Sequence, residues 1–127
     1  MANKILIVDD EAHIRMLIEQ TLEELEDEGV EFLKAENGEE ALKIIEAENP
    51  QLVFLDVMMP KLNGMEVCRR VKKELLLTDV FIVLLTAKGQ ELDRLKGQEV
   101  GADVYMTKPF DPEVILAKAR EILHLEN

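Results

Sequence analysis

Asp9, Asp10, Asp56, Thr86 and Lys108 are the side chains whose types and spacing could do chemistry together, because each stands at or just past the carboxyl end of a strand-like run. Three carboxylates drawn to one place would repel by about 1 to 4 kcal/mol per pair at 4 Å, for dielectrics between water and a protein surface. A hard divalent cation relieves that repulsion. Mg²⁺, which keeps several waters and binds through one or two carboxylates plus a phosphate, suits an open acidic cluster. Lys108 adds a second positive charge, and the Thr86 hydroxyl can donate to an anion held between metal and lysine. A cation, an ammonium, a hydroxyl and a facing carboxylate are what a phosphoryl group needs for in-line transfer onto that carboxylate. Asp56, alone after its run, is the nucleophile candidate, whereas the Asp9-Asp10 pair suits chelation.

Those residues need a scaffold that aligns strand ends. Ile5–Val8, Leu52–Leu55 and Val80–Leu85 are unbroken apolar runs, the pattern of strands buried on both faces. Val30–Ala35 carries Glu31 and Lys34 and suits an edge strand. A fifth strand is expected over Asp103–Thr107. Between them the period turns helical. Ile14, Leu17, Ile18, Leu22 and Leu25 form one stripe from Ala12 onward, ended by Gly29. Asn37 caps a second helix that buries Ala41, Leu42 and Ile45 and stops at Asn49-Pro50. After Asn63-Gly64 a third helix buries Met65, Cys68 and Val71, with Arg69, Arg70, Lys72 and Lys73 on a solvated outer face. A fourth is expected over Gln90–Val100, closed by Gly101. The last, capped by Asp111 with Pro112 in its first turn, buries Ile115, Ala119 and Ile122 and holds His124 in its final turn. Strands alternating with helices imply a doubly wound α/β fold around a parallel sheet, whose ligands bind outside the carboxyl ends of the strands.

Composition narrows the function classes. The 127 residues allow one domain, long enough to bury roughly two-thirds of its unfolded surface. The formal net charge of −12 argues against direct binding to nucleic acid or an anionic membrane. Residues 19–48 hold twelve acidic residues against Lys34 and Lys43, a local charge of −10 read as a solvated face. No apolar run approaches a membrane span or a secretory leader, so a cytoplasmic location is expected. Cys68 is the single cysteine and is expected in the core, without a redox role.

Val8-Asp9-Asp10-Glu11, Leu55-Asp56-Val57-Met58-Met59-Pro60, Asn63-Gly64, Leu85-Thr86-Ala87 and Tyr105-Met106-Thr107-Lys108-Pro109-Phe110 resemble, in order, the receiver domain of bacterial two-component response regulators. The resemblance runs from Lys4 to about Leu123, so residues 1–127 read as one receiver domain with no output domain. It implies a flavodoxin-like five-stranded sheet of order 2-1-3-4-5 with five helices. It implies that Asp56 accepts phosphate from a sensor histidine kinase or phosphotransfer protein, in a signalling role rather than as an enzyme on an external substrate. Asp10, Asp56 and the backbone carbonyl of Met58 would ligate Mg²⁺, with Asp9 acting through metal-bound water. Thr86 and Lys108 would bind the phosphoryl oxygens, and Tyr105 would report the state of Thr86. A cis Lys108-Pro109 peptide is also implied, a geometry that X-Pro bonds adopt at low cost. The output surface would be helix four, strand five and helix five. A phosphorylation-dependent homodimer is compatible with it, although Val104 stands where a second Asp is usual.

Other function classes fit less well. A phosphohydrolase working through an aspartyl phosphate expects a second Asp two residues after the nucleophile, and this chain has Met58 there. A flavodoxin-like cofactor binder needs a phosphate loop rich in Ser, Thr or Gly after the first strand, where Asp9-Asp10-Glu11 would repel phosphate. A receiver degenerated into a constitutive binding module would lack an acceptor or ligand position, and none is missing. Met58 and Lys88 flank the path of an attacking water, and neither can orient one. Self-dephosphorylation is therefore expected to be slow.

Overall fold

The computed structural model describes residues 3–59, 61–87 and 99–125. Five parallel strands, β1 (Lys4–Val8), β2 (Glu31–Ala35), β3 (Leu52–Asp56), β4 (Phe81–Ala87) and β5 (Val104–Lys108), form one sheet of order β2-β1-β3-β4-β5. This is the expected flavodoxin-like arrangement. The three apolar runs occupy the centre, where both faces are covered, and the charged β2 is an edge. Alternation along the strands divides the core in two. Leu6, Val8, Val53, Leu55, Ile82 and Leu84 pack on one face against α2 (Gly38–Glu48) and α3 (Gly64–Arg69). Ile5, Ile7, Phe54, Val83 and Leu85 pack on the other against α1 (Ala12–Thr21) and the C-terminal helix (Pro112–Ile122).

Local sequence explains the helix starts. Asn37 accepts from the Glu40 amide, Asn63 from the Glu66 amide and Asp111 from the Glu113 amide, each at 2.9 Å, so the two expected caps are present and Asn63 adds a third. Gly38 could be nothing larger, because a Cβ there would lie 1.8 Å from the Leu62 carbonyl oxygen.

Four expectations change. The first helix does not continue through Leu25: it ends at Thr21, and Glu23–Glu28 forms a 3₁₀ segment. The sequence Glu-Glu-Leu-Glu-Asp-Glu would place acids at the negative end of the helix dipole, and the tighter turn still buries Leu25. The third helix turns at Arg70 into a π-helical stretch, Arg70–Glu74. The outer face of that helix is not uniformly solvated. Lys72 is only 8% exposed, its ammonium 2.6 Å from the Val80 carbonyl and 2.8 Å from Asp103 Oδ2. Finally, His124 lies beyond the last helix rather than in it. Its φ of 57° and the bonds from the His124 amide to Glu121 O and the Leu125 amide to Arg120 O make a Schellman ending. The fourth helix expected over Gln90–Val100 lies, apart from its last residues, outside the described residues, as does Lys88.

Candidate functional site

The loops after β1 and β3 and the end of β5 meet at one edge of the sheet. Asp9 directly follows β1 and is fully buried, whereas Asp10 is exposed. Asp56 ends β3 at 4% exposure, its rung shared with Leu85 of β4. Among the described residues Asp9, Asp10 and Asp56 form an acidic cluster with one oxygen from each within 4.8 Å of the others. Lys108 reaches in from β5, its Nζ 2.8 Å from Asp9 Oδ2 and 3.0 Å from Asp56 Oδ1. Four of the five expected site residues, Asp9, Asp10, Asp56 and Lys108, thus come together in one place.

The charges explain one another. Burial pushes the Asp56 carboxyl up, the hydrogen bond from Lys108 pulls it down, and Asp9 and Asp10 raise it again, leaving it at about 6. Burial also works against the Lys108 ammonium, but its hydrogen bonds to Asp9 and Asp56 outweigh that and hold its pKa above the ordinary lysine value. Asp9 is satisfied twice over, since Oδ1 accepts the Glu11 amide at 2.9 Å while Oδ2 takes Lys108. A divalent cation fits this donor set: of three clustered carboxylates Lys108 pairs with only Asp9 and Asp56, and the exposed Asp10 leaves room for water ligands.

Thr86 is buried on β4, opposite Thr107. Tyr105 lies opposite Leu84, partly buried against the α2/α3 face of the core. Strand alternation puts Thr86 on that same face. Met58 is 62% exposed in the loop after β3. The Lys108-Pro109 peptide is cis, as expected. Cys68 is buried, and burial lifts its thiol to about 12, in keeping with a core residue.

The steric role of Gly64, and Arg15 altogether, escaped the reading of the sequence. A Cβ on Gly64 would lie 2.2 Å from the Asp56 carbonyl oxygen, so this glycine lets the start of α3 close on the end of β3. Its amide bonds the Val57 carbonyl at 3.0 Å, which ties the same loop. Arg15 Nη1 lies 2.5 Å from the Asp9 carbonyl oxygen. The available signal was that Arg15 is the one Lys or Arg between Lys4 and Lys34, in the most acidic part of the chain.

Residues 5–120 match the response regulator receiver domain family. The chain belongs to that family. The receiver domain is 51% identical over 120 residues to the probable transcriptional regulator ycf27 of Porphyra purpurea, covering 94% of this chain and 47% of that protein. It is 47% identical to the alkaline phosphatase synthesis transcriptional regulatory protein PhoP of Bacillus subtilis, covering 97% of this chain and 49% of that one. Among solved structures, it superposes on the response regulator DrrB of Thermotoga maritima, an OmpR/PhoB homologue, with a TM-score of 0.79 and 37% identity over 98% of this chain and 54% of that chain. The receiver domain thus spans about half the length of the curated relatives it matches. No helix among the described residues is long and apolar enough to cross a membrane.

Proposed function

We propose that this receiver domain is a phosphoaccepting switch in which Asp56 takes a phosphoryl group from the phosphohistidine of a sensor histidine kinase or phosphotransfer protein. The observation that carries the reading is Lys108, set between Asp9 and Asp56 where three carboxylates converge. An Asp56 oxygen attacks phosphorus, the phosphorus–nitrogen bond breaks, and the donor imidazole leaves with the electron pair and takes up a proton. Asp10, Asp56 and the Met58 carbonyl would hold Mg²⁺, with Asp9 acting through bound water. When bound, the metal would supply positive charge to the transferring phosphoryl oxygens. Lys108 neutralises a second oxygen, and Thr86 donates to a third. Repositioning of Thr86 would be felt by Tyr105, which shares its face of the sheet, and so by the proposed output surface of β5, the C-terminal helix and the expected fourth helix, most of which lies outside the described residues.

The raised pKa of Asp56 also fits this role, because an apo site that disfavours its own negative charge gains most when a cation enters. The domain turns over no external substrate in this reading, and its chemistry is limited to its own phosphorylation and slow self-dephosphorylation. The relatives' names make transcriptional control the output class best supported. With a net charge of −12, this domain would leave DNA contact to another part of a longer protein.

Intact-mass analysis after acetyl phosphate and Mg²⁺ tests the assignment. One phosphoryl adduct, abolished in Asp56→Asn, is expected, and an undiminished adduct in that variant overturns it.

A further inference from the structure

Among the described residues three groups flank the acidic cluster, and two act on its carboxylates: Lys108 pairs with Asp9 and Asp56, and the Glu11 amide holds Asp9 Oδ1. The third is Arg15, in the first turns of α1, with a side chain only 16% exposed. It does not approach the carboxylates. Its Nη1 donates to the main-chain carbonyl of Asp9 at 2.5 Å, while Nη2 lies 3.9 Å from Glu36 Oε2 at the start of the loop after β2. Arg15 therefore spans the β1 and β2 loops and seizes the backbone just where it leaves the sheet.

That carbonyl is one end of the Asp9–Asp10 peptide. Because the peptide unit is planar, a bond that aims the Asp9 oxygen also sets the direction of the Asp10 amide and the starting point of the Asp10 side chain. Asp9 and Asp56 are held by their own burial and by Lys108. Asp10 is exposed, and among the described residues no hydrogen bond or ion pair holds its carboxylate. Its place within 4.8 Å of the other two carboxylates thus depends on the backbone beneath it. Resting on the function proposed above, we infer that Arg15 is a positioning residue for the divalent cation: it fixes the Asp9–Asp10 peptide so that Asp10 faces the site. Its charge, turned to the backbone, opposes the cation, so its contribution is geometric.

The two effects differ in sign, which makes the idea testable. Deleting a positive charge close to a cation site should tighten cation binding by simple Coulomb attraction. Deleting a group that orients a ligand should weaken it, by about tenfold or more where outer-shell partners have been removed elsewhere. Mg²⁺ titration calorimetry on the full chain, without phosphate donor, should be run on wild type, Asp10→Asn, Arg15→Met and Arg15→Lys, with apo melting recorded for each. The expected result is an Arg15→Met dissociation constant about tenfold above wild type, with Arg15→Lys within about threefold. Arg15→Gln, too short to reach the carbonyl, replaces Arg15→Met if the latter does not melt cooperatively. Binding unchanged or tightened in Arg15→Met overturns the inference alone. Equal weakening in Arg15→Met and Arg15→Lys overturns it as well, since the lysine keeps both charge and donor. If wild type binds no Mg²⁺, or Asp10→Asn binds as well as wild type, the phosphoacceptor reading falls and the inference with it.

Discussion

Lys108 Nζ stands 3.0 Å from Asp56 Oδ1, and the two residues lie on different strands, the end of β5 and the end of β3, with β4 between them. The ion pair therefore bridges over a strand. It also reaches Asp9, just past the end of β1, so one ammonium ties together the ends of three of the five strands.

Replacing Lys108 by Met should destabilise the metal-free domain at pH 7 by about 3 kcal/mol, because it leaves buried carboxylates without a counter-charge. Urea unfolding with and without millimolar Mg²⁺ checks this. The loss should shrink with Mg²⁺ present, and an unchanged midpoint in metal-free buffer would contradict the pairing.

Asp56 gives the apo protein a pH dependence of definite sign. Its pKa is raised to about 6 in the folded state, against about 3.9 for an unfolded aspartate. The folded state therefore binds more protons between those values, and the stability associated with protonated Asp56 is lost as pH rises through about 6. Without Mg²⁺, Asp56→Asn should gain stability relative to wild type between pH 4 and pH 7. Paired denaturation curves at the two pH values measure it, and a constant difference would sink the argument.

Mg²⁺ itself should raise the melting temperature, because it relieves repulsion that exists only in the folded state. Asp10→Ala should lose most of that rise while melting normally without metal, since Asp10 is exposed. Differential scanning calorimetry distinguishes the two behaviours.

Gly64→Ala should be among the more damaging single-methyl changes in this chain. The added carbon would lie 2.2 Å from the Asp56 carbonyl oxygen, against backbone rather than a flexible side chain. A loss above about 3 kcal/mol, with weakened Mg²⁺ binding, is expected from strain of this kind. An Ala variant with wild-type stability would show that the β3–α3 loop can move.

Met58→Asn should shorten the lifetime of the phosphorylated domain, because the exposed Met58 offers an attacking water no hydrogen bond and an amide does. Phosphate release from purified phosphoprotein follows this directly. A slower or unchanged decay would remove Met58 from the control of water access.

The site was legible because strand burial and strand ends leave marks of their own. Ile5–Val8 and Leu52–Leu55 had to be internal, and the aspartates that follow them had to emerge together once the strands were parallel. Lys72 was not legible. In Arg69-Arg70-Val71-Lys72-Lys73 it looks like any solvated cation, and nothing local reveals that the Val80 carbonyl and Asp103, from two other strand entrances, come to meet it. Arg15 escaped for the same reason, since its partner is a carbonyl, and carbonyls have no sequence signature. Glu23–Glu28 misled differently: its leucine spacing is helical, while its charges oppose helix continuation.

β5 contains no fully buried residue, unlike β1, β3 and β4 beside it. Backbone amides on such an outer strand exchange with solvent through small local openings, whereas those of the inner strands wait for global unfolding. Asp56, the proposed acceptor, thus stands on a strand expected to exchange slowly, and Lys108 on one expected to exchange fast. Occupancy of the site joins the two, so its imprint in a deuterium-uptake experiment should fall on β5 and leave β3 almost untouched.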